Sequence, residues 1–119
     1  MSAEFDITQR SFDFAVRVVK LCQFLEKQNG VPRTLANQLL RSGTSIGANI
    51  EEAQAGQSKA DFIAKMSISR KEARETLYWI KLLEATEVVT SDKIKGLKTE
   101  ADEVVRILTS IVKTAQQRK

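Results

Sequence analysis

The residues most able to do chemistry are carboxylates and one cysteine, because the 119-residue sequence contains no histidine. Glu72 and Glu75 are three residues apart, a spacing that places two carboxylates on one face of a helix. Di-metal sites in helical bundles complete such carboxylates with histidines, which are absent here. Glu51 and Glu52 are adjacent and point to different sides of a helix. We therefore expect no metal, no cofactor and no catalytic centre, and the sequence predicts a protein that is not an enzyme.

Cys22 is the only cysteine, so a disulfide framework within the chain is excluded. Together with Ala15, Val18 and Leu25 it recurs at steps of three and four residues, on the apolar face of a predicted helix. A cysteine on such a face acts as a small hydrophobic residue. The first ten residues carry acids and no apolar stretch, and no apolar run approaches the roughly 20 residues that span a membrane. These features predict a cytoplasmic protein with no membrane partner.

Basic residues form the most informative polar pattern, in a chain with a net charge of +4. Arg70, Arg74 and Lys81 fall within one narrow stripe of the third predicted helix. Like charges four residues apart destabilise a helix by about 0.2–0.5 kcal/mol, so the stripe does not serve the stability of that helix. It predicts a surface that follows phosphates, to which Arg17 and Lys20 of the first helix contribute. The alternative is an ordinary solvated face of a basic protein.

Four helices must position these residues. Hydrophobic periodicity predicts them over about residues 7–28, 35–55, 59–87 and 92–116. Gly30 and Pro32 end the first helix, Thr34 is the expected N-cap of the second, Ser58 begins the third and Ser91 the fourth. Short connections favour antiparallel neighbours, so the sequence predicts one all-α domain over residues 1–119, an antiparallel up-down four-helix bundle.

The middle of the second helix, residues 42–47, is poor in helix-forming residues. Either the chain breaks here into two short helices, or Gly43 and Gly47, one turn apart, let another helix approach closely. The apolar spacing keeps its phase across the glycines, which favours one continuous helix. A helix-turn-helix over residues 35–50 fits the spacing only loosely.

The third predicted helix has a seam with small residues at its centre, which we expect to receive the glycine-containing middle of the second helix. The members of this seam step alternately by four and three residues: Phe62, Met66, Ser69, Ala73, Thr76, Ile80 and Leu83.

More apolar surface is present than one bundle can bury. Ile68 and Trp79 project about 100° from the centre of the third helix's seam, beside Glu72 and Glu75, and Phe24 lies on a flank of the first helix. Surplus apolar surface with a tryptophan is typical of an oligomer interface, so we assign these five residues to one. The alternative is a broad core with Trp79 at its edge.

Two motifs carry a resemblance to a known family. The first is Ser-Ile-x-x-Asn-Ile-x-Glu, at Ser45, Ile46, Asn49, Ile50 and Glu52. The second has the members Glu72, Ala73, Glu75, Thr76, Tyr78 and Trp79.

With these motifs the chain resembles the bacterial four helix bundle proteins, which are encoded within intervening sequences of 23S ribosomal RNA genes and are related to retroelement accessory variability proteins. The resemblance implies an antiparallel four-helix bundle that assembles into a ring-like homo-oligomer, a pentamer. For the retroelement branch it implies binding to nucleic acid and to a reverse transcriptase.

Two functions follow as hypotheses. The first is a non-enzymatic, oligomeric bundle that binds nucleic acid, RNA or DNA and foremost structured RNA, through basic stripes repeated around a ring. The five cations named above would contact phosphates without reading bases. The alternative is a protein-interaction scaffold that docks a partner protein and has no role in nucleic-acid binding.

Overall fold

The computed structural model describes residues 3–118, with side chains from residue 7 to residue 118. Over this range the chain forms four helices: α1 (Ala3–Glu26), α2 (Val31–Gln54), α3 (Lys59–Ala85) and α4 (Ser91–Gln117). Helix α1 packs against α2 and α4, and α3 packs against the same two helices, so the pairs α1–α3 and α2–α4 are diagonal. The bundle measures 49 × 21 × 20 Å, and the described residues contain no strand. The all-α four-helix prediction is confirmed.

The turn between α1 and α2 differs from the sequence-based expectation. Helix α2 begins at Val31, so Thr34 is not its N-cap but lies inside its first turn, where its N–H donates to the Gly30 carbonyl at 3.1 Å. Gly30 has φ 85°, a conformation that glycine adopts without a steric penalty. Pro32 sits in the first turn, where its missing N–H has no helical partner to lose. The proline therefore starts α2 rather than merely preventing the extension of α1.

The ends of α3 show two different capping devices. Ser58 accepts a hydrogen bond from the Asp61 N–H at 3.1 Å, which confirms the predicted N-cap. At the other end Glu87 has φ 61°, the Val88 N–H donates to Leu83 O at 3.2 Å, and the Glu87 N–H donates to Glu84 O at 3.1 Å. This is a Schellman motif with glutamate at the left-handed position. Because of it, α3 ends at Ala85.

Helix α4 begins one position earlier than predicted. Its N-cap is Thr90, which makes no side-chain capping bond, and Ser91 is already helical. The predicted cap at Ser91 is therefore wrong. Asp92 still lies in the first turn, where a carboxylate interacts favourably with the helix dipole.

Helix α2 is continuous through its glycines, which excludes both the broken helix and the helix-turn-helix. The glycines face α1, however, and not the small centre of α3. A Cβ added at Gly43 would lie 2.8 Å from Cγ1 of Val18, and one at Gly47 would lie 3.3 Å from Oγ of Ser11. The close approach predicted for this stretch therefore exists, but with the other neighbour.

The small centre of α3 instead packs on the serine side of α2. The hydroxyls of Thr76 and Ser42 are hydrogen-bonded at 2.9 Å, and Ser69 donates to the Ile46 carbonyl at 2.8 Å. Both contacts are buried, so the polar atoms of this seam have partners inside the bundle. The predicted seam of α3 is buried from Met66 to Leu83.

Candidate nucleic-acid interface

Cys22 has the properties of a core residue. It is 2% exposed, and its Sγ–H donates to the Ala36 carbonyl at 3.4 Å. Burial, with a smaller contribution from the charge of Glu26, raises the pKa of the thiol to about 11. Because a reactive cysteine needs its thiolate at neutral pH, Cys22 is suited to packing and not to nucleophilic chemistry.

The carboxylates considered for metal binding are held in ion pairs between α2 and α3. Arg41 of α2 reaches across to Glu72, at 3.4 Å, and forms a second ion pair with Glu75. The Trp79 indole N–H donates to Glu75 Oε2 at 3.0 Å. We call these four residues the Arg41 cluster. Within the described residues, no three histidine, cysteine or acidic side chains are grouped as a metal site requires.

The first family motif builds α2 itself. Ser45 donates its hydroxyl to the Arg41 carbonyl at 2.7 Å, and the Asn49 amide donates to the Ser45 carbonyl at 2.8 Å. Ile46 and Ile50 are buried in the core, whereas Glu52 is exposed. Ser45 and Asn49 are thus bonded to the backbone of their own helix.

Arg17 and Lys20 lie on the flank of α1 that faces α4. Both line a groove between these helices, together with Lys93, and its floor is apolar. The Arg17 guanidinium lies beside Gly96 of α4, where an added Cβ would be 3.0 Å from Nη2. We call this the α1/α4 groove; the residues that line it are Arg17, Lys20, Leu21, Phe24, Lys93 and Leu97.

The cations of α3 lie on the opposite flank of α4. Lys81 and Leu77 line a second groove with residues of α4, which we call the α3/α4 groove. Arg74 and Arg70 precede Lys81 and Leu77 by seven residues, so they share the same flank of α3. Arg74 and Lys81 are exposed and Arg70 is half-buried. The five predicted phosphate-binding residues therefore lie on the two sides of one helix.

The acids near α4 are paired with other cations. Arg10 bonds Glu100 and Glu103, each at 2.7 Å, Lys98 bonds Glu84 at 2.6 Å, and an Arg106–Asp102 pair lies along α4.

Helix α4 is therefore flanked by positive charge that has no partner. Among the described side chains, none of the five predicted cations has a carboxylate oxygen within 4 Å, since every ion pair involves other residues: Arg10, Arg41, Lys98 and Arg106 supply all the positive charges.

The electrostatics at Glu100 reflect this arrangement. Burial alone raises the pKa of the Glu100 carboxyl, but the hydrogen bonds and charge of Arg10 outweigh it, with a smaller contribution from Arg17. The net pKa lies below the usual range for glutamate. Glu100 is therefore a charged partner of Arg10 at neutral pH.

The predicted interface residues are only partly brought together. Ile68 is 42% exposed and lies near the Arg41 cluster on the outer side of α2 and α3. Trp79 is half-buried at the edge of the core, with the exposed Tyr78 ring edge-on at 5.1 Å. Phe24 lies apart from these residues, in the α1/α4 groove.

Three residues of these surfaces were missed in the sequence. Arg41 was not associated with Glu72 and Glu75, because helical spacing does not reveal which side chains face one another across helices. Lys93 and Gly96 escaped notice for the same reason. The only available signal was Gly96 itself, since a glycine inside an exposed helix costs stability and marks a close approach.

Together, the fold and these surfaces define a class: an all-α four-helix bundle with unpaired basic flanks along one helix. Comparison with known sequences identifies the family. The family model for the 23S rRNA-intervening sequence protein matches residues 3–110, and the chain belongs to this family. The resemblance drawn from the two motifs is thereby confirmed at the level of the family.

A solved structure supports the assignment. A protein of unknown function from the S23 ribosomal protein family of Bacteroides thetaiotaomicron is 44% identical to this chain, with a TM-score of 0.86. The match covers 94% of this chain and 99% of that one. None of the curated proteins matches the chain.

None of the four helices, over the residues that the structure describes, has the length and apolar character that a membrane span requires.

Proposed function

We propose that this protein is a non-enzymatic, cytoplasmic nucleic-acid-binding protein whose partner is structured RNA. One observation carries the proposal: five cations from α1 and α3 lie on the two flanks of α4 without carboxylate partners. Unpaired arginine and lysine side chains on a surface attract phosphates and release the counterions bound to them. The family is named after intervening sequences of 23S rRNA, so a structured RNA is the polyanion that we test first.

The proposed mode of binding is contact with the phosphate backbone. Lys81 lines the α3/α4 groove, and Arg74 and Arg70 continue along the same flank of α3, so the three cations are spaced over three turns of the helix. Long, separated cations of this kind follow a backbone and carry no sequence code. Binding should therefore depend strongly on salt and weakly on base sequence.

Assembly into a ring, a homopentamer, is the second part of the proposal. Exposed apolar side chains lie on two different helices, Ile68 and Tyr78 on α3 and Phe12 and Val16 on α1. A closed ring joins two different faces of each subunit, so two separate patches suit it. Repetition of weak basic flanks around a ring would raise the apparent affinity without any new contact.

The proposal is tested with the Arg70→Ala/Arg74→Ala double variant and a structured RNA. We expect affinity to fall at low salt and the slope of log K against log[salt] to become shallower by about 1.5 per subunit in contact. Fluorescence anisotropy over a salt series measures both quantities. Arg33→Ala/Lys65→Ala is the matched control: it removes the same charge, from α2, which is diagonal to α4, and from the side of α3 that faces α2, since Lys65 precedes Glu72 by seven residues.

The outcomes are clear-cut. Loss of affinity in the α3 variant, with the control unchanged, supports phosphate binding along α4. An α3 variant that keeps the affinity and salt slope of the wild type contradicts it, as does an equal loss in both variants.

The alternative function is a scaffold that docks a partner protein, such as a reverse transcriptase. Phe12 is 61% exposed and Tyr78 is 58% exposed, and large exposed aromatic side chains favour a protein contact. If these rings remain accessible after assembly and RNA does not bind at low salt, the scaffold is the better account. Charge-to-alanine changes on the flanks of α4 would then leave partner binding intact.

A further inference from the structure

The α1/α4 groove has an accessible aromatic ring among its cations, and none of the described acidic residues lines it, whereas Asp102 lines the α3/α4 groove. Phe24 is 38% exposed and lies on the groove's apolar floor with Leu21 and Leu97. Arg17, Lys20 and Lys93 line the same groove. The α3/α4 groove has no aromatic side chain among its lining residues. Only the first groove therefore offers both a surface for stacking and charges for a phosphate.

An exposed lysine side chain lies over the ring of Phe24. The ammonium Nζ of Lys93 lies 3.5 Å from the centroid of the ring, a cation–π contact. Lys93 makes no ion pair with any described carboxylate, so its position over the ring depends on this weak contact. Stacking of a nucleobase on an aromatic ring is the stronger interaction. A base can therefore take the place of the ammonium.

Arg17 lies in the same groove as Phe24, where its guanidinium could contact the phosphate of a nucleotide stacked on the ring. Its guanidinium lies beside Gly96, where a Cβ would come within 3.0 Å of Nη2. The glycine thus leaves space for the guanidinium at the mouth of the groove. A cavity volume of about 250 Å³ is below the roughly 300–1,000 Å³ of pockets for drug-sized ligands, so one ring-sized group fits.

We propose that the α1/α4 groove binds one unpaired nucleotide of the RNA, with its base against Phe24 and its phosphate among Arg17, Lys20 and Lys93. The proposal rests on the proposed function and adds a preference for unpaired nucleotides to it. Bases inside a duplex are stacked on one another and cannot reach a side chain in a groove, whereas bases in loops and ends can. Lys93 moves from the ring to the phosphate as the base enters.

The test compares a single-stranded 12-nucleotide RNA with a blunt RNA duplex, using the Phe24→Ala variant of the full chain. We expect the variant to bind the single strand about tenfold more weakly and to bind the duplex as the wild type does. Val31→Ala is the control, because Val31 is also a large exposed apolar side chain but lies on α2, outside the groove and outside the patches assigned to assembly. Phe24→Leu keeps an apolar side chain but removes the ring. It should also bind the single strand more weakly than the wild type and bind the duplex equally well.

A crosslinking experiment gives a second, direct result. Photocrosslinking a 4-thiouridine-containing single strand to the wild type should label Phe24, in the tryptic peptide of residues 21–27. A crosslink at Phe12, with none at Phe24, would overturn the proposal.

The other outcomes separate this proposal from the proposed function. If Phe24→Ala binds both RNAs as the wild type does, or loses affinity for both alike, the nucleotide site is wrong while phosphate binding stands. If the wild type binds neither RNA at low salt, both proposals fail. A lower mass of Phe24→Ala by light scattering would make the groove a contact between subunits and overturn the nucleotide site.

Discussion

Ion pairs between α1 and α4 determine which positive charges remain available to a ligand. Arg10 is bonded to Glu100 and Glu103, while Arg17, two turns further along α1, has no carboxylate oxygen within 4 Å among the described side chains. Arg10 and these two acids thus neutralise one another in ion pairs between α1 and α4. Arg17 lies at the mouth of the α1/α4 groove without an acidic partner in the described part of the chain. Its charge is therefore available to a ligand, whereas the charge of Arg10 is not.

The Arg10–Glu100 pair gives a prediction for stability as a function of pH. Because the pKa of Glu100 is lowered in the folded state, its contribution is fully present above the ordinary value of about 4.3 and is lost as pH falls through the folded value. Glu100→Gln should therefore be less stable than the wild type at pH 7, and the difference should shrink at pH 3. Urea unfolding at the two pH values measures it.

Glu51→Gln serves as the control for this experiment, since Glu51 is exposed on α2. Its stability difference from the wild type should be small at both pH values. An equal difference between Glu100→Gln and the wild type at pH 7 and pH 3 would contradict the assigned role of the pair.

At the residue scale, the sequence predicted which side chains are buried better than it predicted which side chains contact one another. Cys22 was placed in the core by its helical spacing, and its burial confirms this. The link from Arg41 to Glu72 and Glu75 was not predicted, because it depends on the rotation of α2 about its axis relative to α3. Pattern within one helix carries no information about that rotation.

At the scale of elements, the glycines of α2 and α4 mark where helices come closest. Gly43 lies against Val18, a fully buried and β-branched side chain that cannot move easily. Gly96 lies against the end of the flexible Arg17 side chain. Adding a side chain should therefore affect the stability of the fold differently at Gly43 and at Gly96.

We predict opposite effects on stability for alanine at these two glycines. Gly43→Ala gains about 1 kcal/mol of helix propensity but overpacks the α1–α2 contact by about 1–3 kcal/mol, so it should destabilise the fold by about 1 kcal/mol. Gly96→Ala should stabilise it by up to about 1 kcal/mol, because the Arg17 guanidinium can move aside. Urea midpoints measure both, and stabilisation by both variants would contradict the predicted packing.

The sequence was sufficient for the number and type of these elements and for the seam of α3. The periodic spacing of apolar residues predicts helices directly, and it kept its phase through Gly43 and Gly47. It could not say that these glycines face α1, because a gap in a helix surface fits either neighbour. The start of α2 was also missed, because Pro32 was interpreted as a barrier rather than as a first-turn residue.

At the scale of the whole molecule, two sides of the bundle differ in their surface charge and exposed apolar side chains. The flanks of α4 carry unpaired cations, whereas the outer side of α2 and α3 carries the Arg41 cluster beside the exposed Ile68. The ring proposed above would join subunits through the exposed apolar patches of α1 and α3 and leave the flanks of α4 available for a polyanion. Neither side could be predicted from composition alone, because both depend on which helices are neighbours.

Assembly gives the prediction at this scale. The wild type should have a mass near five times the 13.3 kDa of the chain, and Ile68→Glu should reduce it, because the new charge lies beside Glu72 and Glu75. Light scattering measures both masses. Gln57→Glu, an exposed change in the connection between α2 and α3, is the control. A wild type that is monomeric would contradict the assignment of surplus apolar surface to an interface.

The most direct test of the central claim is the affinity of the wild-type protein for a structured RNA across a series of salt concentrations. Five unpaired cations per subunit predict binding at low salt with a slope of log K against log[salt] of about −3 or steeper. The affinity should differ little between RNAs of the same structure and different sequence. Absence of binding at low salt, or an affinity that does not change with salt, would contradict the account of α4 as a phosphate-binding surface.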